Sequence, residues 1–189
     1  GSIAVATSDD YSLWGGSGEI AIGTRGPLIN SAGSGNIGIG DKALNSNTIG
    51  NGNIAIGGSQ TLLNNIDGTS NIAMGVTTMV LNTSGTENIA IGEGALYNNI
   101  SGNTNIAIGT SAGLSNLNND RNVYIGHSAG YNNDGANNIF IGYSAGSGDT
   151  SSNDRLIIGD TIYGDLSAKL IGINQLNPVT TLDVSGTSR

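Results

Sequence analysis

Residues 126–130 read GHSAG, and serine hydrolases use this G-x-S-x-G pattern. There it holds a serine nucleophile on a sharp turn between a strand and a helix, with a histidine as base. The frame recurs as GTSAG at 109–113 and GYSAG at 142–146, so three nucleophiles would stand where one enzyme uses one. Adjacent residues of a strand point to opposite faces, so we expect His127, the only histidine, to face away from Ser128. The pattern therefore indicates a repeated structural unit, and we expect no catalytic residue and no enzyme.

Acidic residues offer a second route to chemistry, because two carboxylates that face one cleft can hydrolyse a glycosidic bond. Asp67, Asp134, Asp149 and Asp154 fall in turn-like segments, but the short and regular repeats that contain them leave no inserted loop to build a cleft. A polysaccharide depolymerase with its site between subunits therefore remains only an alternative. Aspartate does not recur at the short interval of a calcium-binding β-roll, and cysteine is absent. We expect no metal and no cofactor.

Composition and charge exclude several kinds of partner. The 189 residues include 14 acidic and 6 basic side chains, a formal net charge of -8, so a nucleic-acid backbone would be repelled. No apolar run approaches the ~20 residues of a membrane-spanning helix, so we expect no membrane insertion. With 32 Gly but only 1 Trp, 6 Tyr and 1 Phe, the chain has little material for a bulky globular core.

A tandem repeat of the form N-I-A-I-G organises the chain. The last residues of the successive units are Ala6, Gly23, Gly40, Gly57, Gly75, Gly92, Gly109, Gly126, Gly142 and Gly159, an almost constant interval of about seventeen. Period-two alternation and β-branched isoleucine are typical of strands, and the Gly, Asn, Ser and Asp that follow are typical of turns. The repeat predicts an all-β fold, a parallel β-solenoid or β-roll of about ten coils over residues 1–160, stacked at ~4.8 Å into a rod of roughly 50 Å. We expect residues 161–189 to form a C-terminal strand segment that ends the solenoid, a candidate for an intertwined trimer end.

Two further features recur in each coil. A weaker segment with Ala or Leu near its middle, such as GALYNNISG at residues 94–102, predicts a second short strand facing back across a narrow core. One asparagine position is also shared by successive coils, where stacked amides would hydrogen-bond along the axis as a ladder. The members of this predicted ladder are Asn36, Asn53, Asn71, Asn88, Asn105, Asn122 and Asn138.

The small apolar content of one coil predicts that copies of the chain associate. We expect the two isoleucines of each strand to face the interior. The small middle residue would then face other copies that approach closely around a symmetry axis. This row is Ala4, Ala21, Gly38, Ala55, Ala73, Ala90 and Ala107, and it continues as Tyr124, Phe140 and Ile157. The hypothesis is a parallel homotrimer.

Aromatic residues cluster in one part of the chain. Tyr124, Tyr131, Phe140 and Tyr143 lie close together in the sequence, and His127 and Tyr143 occupy equivalent positions on successive coils. Exposed rings can stack on sugar faces, so His127, Tyr131 and Tyr143 are candidate receptor-binding residues for a host cell-surface polysaccharide or protein. Alternatively, Tyr124 and Phe140 fill a wider axis and the other rings only decorate the surface.

In tandem, the N-I-A-I-G units resemble the shaft repeats of bacteriophage tail-fibre proteins, and more distantly the S-V-A-I-G head repeats of trimeric autotransporter adhesins. Residues 156–189, which begin LIIGDTIYGD, resemble the stretch that precedes a self-cleaving C-terminal chaperone domain in many tail fibres. Both families imply extracellular, elongated, trimeric β structures that attach a particle or a cell to a host surface. The autotransporter repeats are shorter than the units of this chain, which favours the phage side. The resemblance thus implies a structural or adhesive virion tail-fibre segment, with a bacterial adhesin head domain as the alternative.

Overall fold

The computed structural model of the chain describes residues 2–6, 16–23 and 32–185. In this part of the chain the regular elements are strands alone, thirteen of them in one sheet whose order follows the sequence. Their bounds are β1 Ile3–Ala6, β2 Ile20–Gly23, β3 Ile37–Asp41, β4 Ile54–Ser59, β5 Ile72–Met74, β6 Ile89–Ile91, β7 Ile106–Ile108, β8 Val123–Ile125, β9 Ile139–Ile141, β10 Arg155–Ile158, β11 Ile162–Asp165, β12 Leu170–Ile173 and β13 Leu182–Val184. The predicted all-β class is therefore confirmed. Residues 1, 7–15 and 24–31 of the predicted repeat region, the side chains of Ala4 and Ala6, and residues 186–189 lie outside the described part.

Strands β1 to β10 pair in parallel, each with the same position of the next repeat. In the centre of the sheet Ala90 pairs with Ala107, and the Ile89 N–H donates to the Asn105 carbonyl at 2.8 Å. The one repeat with an extra residue, between Gly57 and Gly75, is accommodated by a register shift after Ile39, where β3 pairs with β4. The predicted parallel β-solenoid is confirmed.

The strands face in the direction opposite to the one expected from the sequence. The middle residues are buried, with Ala90 and Ala107 at 0% exposure, whereas Ile91 and Ile108 are 37% and 39% exposed. Alternation along N-I-A-I-G explains the facing, because the buried Asn and the Ala share one face and the two isoleucines must share the other. The expectation of interior isoleucines and an outer alanine row is therefore wrong. Tyr124 and Phe140 likewise lie in the core and not on an external axis.

The segment that closes each coil consists of consecutive turns and is not the predicted second strand. After β6, for example, φ is positive at Gly94 (64°) and again at Leu96 (48°). A strand requires negative φ throughout, so these left-handed residues bend the chain back towards the next coil. Stacking nevertheless continues through this segment, because the Leu96 N–H donates to the Ala112 carbonyl at 3.0 Å.

The narrow core lies between the strands and these turn segments. In the coils built on β3 to β6, the turn segments contribute the large side chains and the strands contribute Ala or Gly; the large buried residues are Leu44, Leu62, Met79 and Leu96. In the coils built on β8 and β9 the strands carry Tyr124 and Phe140, whose rings lie 5.9 Å apart at an interplanar angle of 47°. The large core side chain therefore comes from the turn segment in the coils of β3 to β6 and from the strand in the coils of β8 and β9.

The predicted asparagine ladder is confirmed, and it is fully buried. Asn88 Nδ2 donates to Asn71 Oδ1 at 3.1 Å, and Asn88 Oδ1 accepts from the backbone N–H of Asn105 at 2.9 Å. At Asn122 and Asn138 the backbone bond continues, but Nδ2 crosses to a neighbouring row of asparagines. Each buried amide thereby finds partners along the axis.

The neighbouring row is a second ladder that the sequence analysis missed. Asn99 Nδ2 donates to Asn82 Oδ1 of the preceding coil at 2.8 Å. It also donates to the Gly102 carbonyl at 3.1 Å, a bond that closes the corner of its own coil. The members of this row are Asn47, Asn65, Asn82, Asn99 and Asn116, and Asn133 occupies the equivalent position of the next coil; all are fully buried. Two polar rows therefore run beside the apolar core and supply hydrogen bonds to the corners of the coils.

The pairing changes after β10. Strands β10, β11 and β12 pair antiparallel, and β13 returns to parallel pairing with β12. Asp165 Oδ1 accepts from the Ala168 N–H at 2.8 Å and from Ser167 Oγ at 2.7 Å in the turn between β11 and β12. These bonds, led by the one from Ala168, lower the pKa of Asp165. The division of the chain at residue 160 stays a prediction.

Candidate functional site

The three G-x-S-A-G segments follow β7, β8 and β9 and begin the turn segments of those coils. Gly126 has a φ of 132°, and a Cβ there would lie 2.3 Å from the carbonyl oxygen of Gly142 in the next coil. A Cβ at Gly130 would lie 2.3 Å from Cδ1 of the Tyr124 ring. Both glycines are thus required by close packing between and within coils, which gives the pattern a structural role.

Ser128 and His127 do contact each other, so the expectation that they point apart is wrong. Ser128 Oγ lies 3.0 Å from His127 Nδ1. Ser128 has a φ of 54°, and this left-handed conformation replaces the strand geometry on which the expectation rested. A catalytic triad also needs a carboxylate that orients the histidine. No carboxylate of residues 2–6, 16–23 or 32–185 hydrogen-bonds His127, so the contact supplies only part of that arrangement.

The structure brings together two of the three candidate receptor-binding residues. The rings of His127 and Tyr143 are stacked, with centroids 5.2 Å apart and an interplanar angle of 14°. Tyr143 is 78% exposed, and Tyr131 is 37% exposed without a ring contact to either of them. Receptor binding by His127, Tyr131 and Tyr143 stays a prediction.

The aromatic core below this surface carries a polar end. The Tyr124 hydroxyl donates to Asn133 Oδ1 at 2.9 Å, at the side of the asparagine rows. Burial raises the pKa of Tyr124, and the negative charges of Asp134 and Asp149 raise it further. Tyr124 therefore stays a neutral hydrogen-bond donor and serves the core, not the surface.

An open cavity of about 890 Å³ lies where the stack of coils ends. One wall is the last turn segment, residues 143–152, and the other includes Ile157, Asp160, Tyr163 and Leu176. The cavity forms because the chain continues after β10 as an antiparallel hairpin, so no further turn segment covers residues 143–152. The sequence analysis named Tyr143 as a binding candidate and Asp149 as a turn carboxylate, but it did not place them in a shared cavity. The only sequence signal of the cavity is that Gly159 and Gly172 lie closer together than the repeat requires.

The described residues contain no group of three or more His, Cys, Asp or Glu placed to hold a metal ion. No helix long and apolar enough to cross a membrane occurs in them.

Comparison of the chain with protein-family models, with curated proteins and with solved structures gave no significant match. Function therefore has to be argued from the geometry of this chain.

Proposed function

We propose that this chain is a structural and adhesive fibre segment: an elongated, homotrimeric β-solenoid of a virion tail fibre that supports attachment to a host cell. The observation that carries the proposal is a continuous apolar face on the outside of the parallel sheet. The resemblance of the repeats to tail-fibre shafts supports the same proposal.

The apolar face consists of the two outward aliphatic side chains of each strand from β3 to β9. The triplet Ile89–Ile91 and the equivalent triplets of β5, β7, β8 and β9 contain no charged residue. Their only polar side chain is Tyr124, which points inward. Ile91, Ile108 and Ile125 are 37%, 39% and 36% exposed, one above the other. Soluble monomers rarely expose a contiguous apolar face of this kind, and burying each such side chain would contribute on the order of 0.5–1 kcal/mol.

Threefold association fits the two-column layout of this face. In a cyclic assembly whose axis runs along the solenoid, each copy contacts two neighbours through two different surfaces. One column, which includes Ile89 and Ile106, would meet one neighbour, and the column with Ile91 and Ile108 would meet the other. All chains would then run in the same direction, as a fibre with distinct ends requires.

Native mass spectrometry and light scattering of the chain test the proposal. We expect a species of three chain masses at micromolar concentration. The double variant Ile91→Lys, Ile108→Lys should dissociate to monomers, because it places two charges in the face. The matched control is Ile100→Lys, Leu117→Lys, whose side chains are 39% and 37% exposed but lie outside the strands.

The control variant should remain trimeric. A monomeric parent chain, or equal dissociation of both double variants, would reject the outer face of the sheet as the interface. Circular dichroism of each variant shows whether the solenoid itself is retained.

A further inference from the structure

The cavity at the end of the solenoid has the features of a binding site. It is lined by the two tyrosines Tyr143 and Tyr163, the carboxylates of Asp149 and Asp160, and the guanidinium of Arg155. Their combination of flat apolar rings with hydrogen-bonding groups of both kinds indicates the class of ligand.

The tyrosines form a fixed apolar surface. One face of Tyr143 is stacked against His127, so the exposed remainder of the ring is held in place and is available to a ligand. The Tyr163 hydroxyl donates to the Asp160 carbonyl at 2.9 Å, which fixes the second ring. Rigid aromatic faces suit the C–H face of a pyranose ring, because little conformational freedom is lost on binding.

The polar groups of the cavity retain capacity for hydrogen bonds. Arg155 Nε is 3.9 Å from Asp149 Oδ2, too far for a hydrogen bond, and this buried atom has no other acceptor among the described residues, so no hydrogen bond through Nε fixes the guanidinium. In the preceding coil the Gly130 N–H donates to the Ala145 carbonyl, but the equivalent Gly146 N–H has no such partner within residues 32–185. Sugar hydroxyls, which both donate and accept, could serve carboxylates and N–H groups together.

Charge selects among sugars. The cavity has two carboxylates, Asp149 and Asp160, against one cation, Arg155, and the whole chain has a net charge of -8. An anionic saccharide would therefore be repelled both locally and at a distance. A neutral sugar has no such penalty.

We propose that this cavity binds a neutral pyranose unit of a glycan, stacked on Tyr143 and hydrogen-bonded by Asp149, Asp160 and Arg155. The inference deepens the proposed function and rests on it for the presentation of the cavity on a fibre. The binding chemistry itself belongs to a single chain.

Saturation-transfer NMR and titration calorimetry of the full chain test the inference. The probes are the methyl glycosides of glucose, galactose, mannose and N-acetylglucosamine, with glucuronic acid as the anionic counterpart. We expect at least one neutral glycoside to bind and glucuronic acid to bind more weakly than methyl glucoside. Tyr143→Ala should weaken binding about tenfold, whereas Tyr143→Phe should retain it.

Two further variants sharpen the result. Tyr97→Ala is the matched control, because it removes a partly exposed tyrosine of an earlier coil that does not line the cavity, and it should bind as the parent chain does. Gly148→Leu should block binding without disturbing the fold, because a Cβ at Gly148 meets no atom within 4 Å and the added side chain enters the cavity. Thermal unfolding of each variant verifies that the fold is retained.

The inference is overturned if no neutral glycoside binds the parent chain, if glucuronic acid binds best, or if Tyr143→Ala and Tyr97→Ala have equal effects. Native mass measured on the same samples separates the two proposals. A trimer that binds none of the sugars rejects the cavity as a glycan site and leaves the fibre proposal standing. A monomer that binds a sugar rejects the trimeric fibre and supports the cavity as a glycan site.

Discussion

Two regions of one solenoid fill the same interior in opposite ways. From β4 to β6 the strand contributes Ala to the core and the turn segment contributes Leu or Met, as Ala90 and Leu96 show. At β8 and β9 the strand contributes an aromatic ring and the turn segment contributes glycine, as Tyr124 and Gly130 show. The total side-chain volume in the core of a coil is conserved, but the large side chain comes from the turn segment in one region and from the strand in the other. Close packing requires this exchange.

The comparison shows why the glycines of the aromatic region are there. Gly130 has a φ of 62°, which alone would explain a glycine, but Leu96 occupies the equivalent place with a φ of 48°. The backbone conformation is therefore compatible with a large side chain at this position. Since a Cβ at Gly130 would meet the Tyr124 ring at 2.3 Å, the glycine supplies space and not backbone freedom.

The strongest test of the comparison is to give the aromatic region the turn residue of the other region. Gly130→Leu should destabilise the chain by about 4 kcal/mol or more, because the new side chain and Tyr124 claim the same volume. In the double variant Tyr124→Ala, Gly130→Leu the coil becomes an Ala–Leu coil, and most of that stability should return. Urea unfolding of the parent, both single variants and the double variant measures the coupling. Additive effects would contradict the volume exchange.

A smaller effect should come from the ladder that both regions share. Asn88→Ala removes amide bonds to Asn71 and to the Gly102 carbonyl and leaves buried donors of Asn105 without an acceptor, for a cost of about 3 kcal/mol. Asn122→Ala, in the aromatic region, should cost a similar amount. If the two variants lose unequal amounts of unfolding free energy in thermal or urea unfolding, the two regions differ in more than the apolar side chains of the core.

The smallest effect concerns the hairpin that follows both regions. Because the folded pKa of Asp165 is lowered, its contribution to stability is present above the pKa of the unfolded chain and is lost as pH falls through the folded value. Acidification through that range should loosen the β11–β12 turn before it affects either kind of coil. Amide hydrogen exchange and NMR titration measure this order, and Asp165→Asn should abolish the pH dependence of the turn. Simultaneous loosening of the coils would contradict it.

The repeat made part of the fold predictable. Period, strand position and parallel pairing follow from the spacing of the N-I-A-I-G units, and the ladder of Asn88 and its equivalents follows from their shared position. The second ladder had the same signal, since Asn82 and Asn99 also lie one repeat apart in the sequence. Rows of identical polar residues are therefore informative wherever they occur in a tandem repeat.

Other features depended on geometry that the residue pattern does not specify. The buried asparagine determines which face of each strand points inward, and the alternation of side chains then places Ile91 on the outer face. Hydrophobicity alone favoured the opposite arrangement, with the isoleucines inside. Leu96 suggested a strand because its left-handed φ cannot be deduced from its side chain. The cavity beside Tyr143 depends on where the chain reverses after Ile158, which is a property of the tertiary fold.

The first asparagine row begins next to an acidic residue, because the backbone N–H of Asn36 donates to the carboxyl group of Glu19 at 3.1 Å. From Asn53 to Asn105 every Nδ2 donates towards the preceding coil, so the amide dipoles point one way and add along the axis, as they do in a helix. Glu19, whose side chain accepts hydrogen bonds from Asn36, stands at the positive pole of this array. In a bundle of chains that run in the same direction these amide arrays would also run in the same direction, so the two ends of the bundle would not be equivalent.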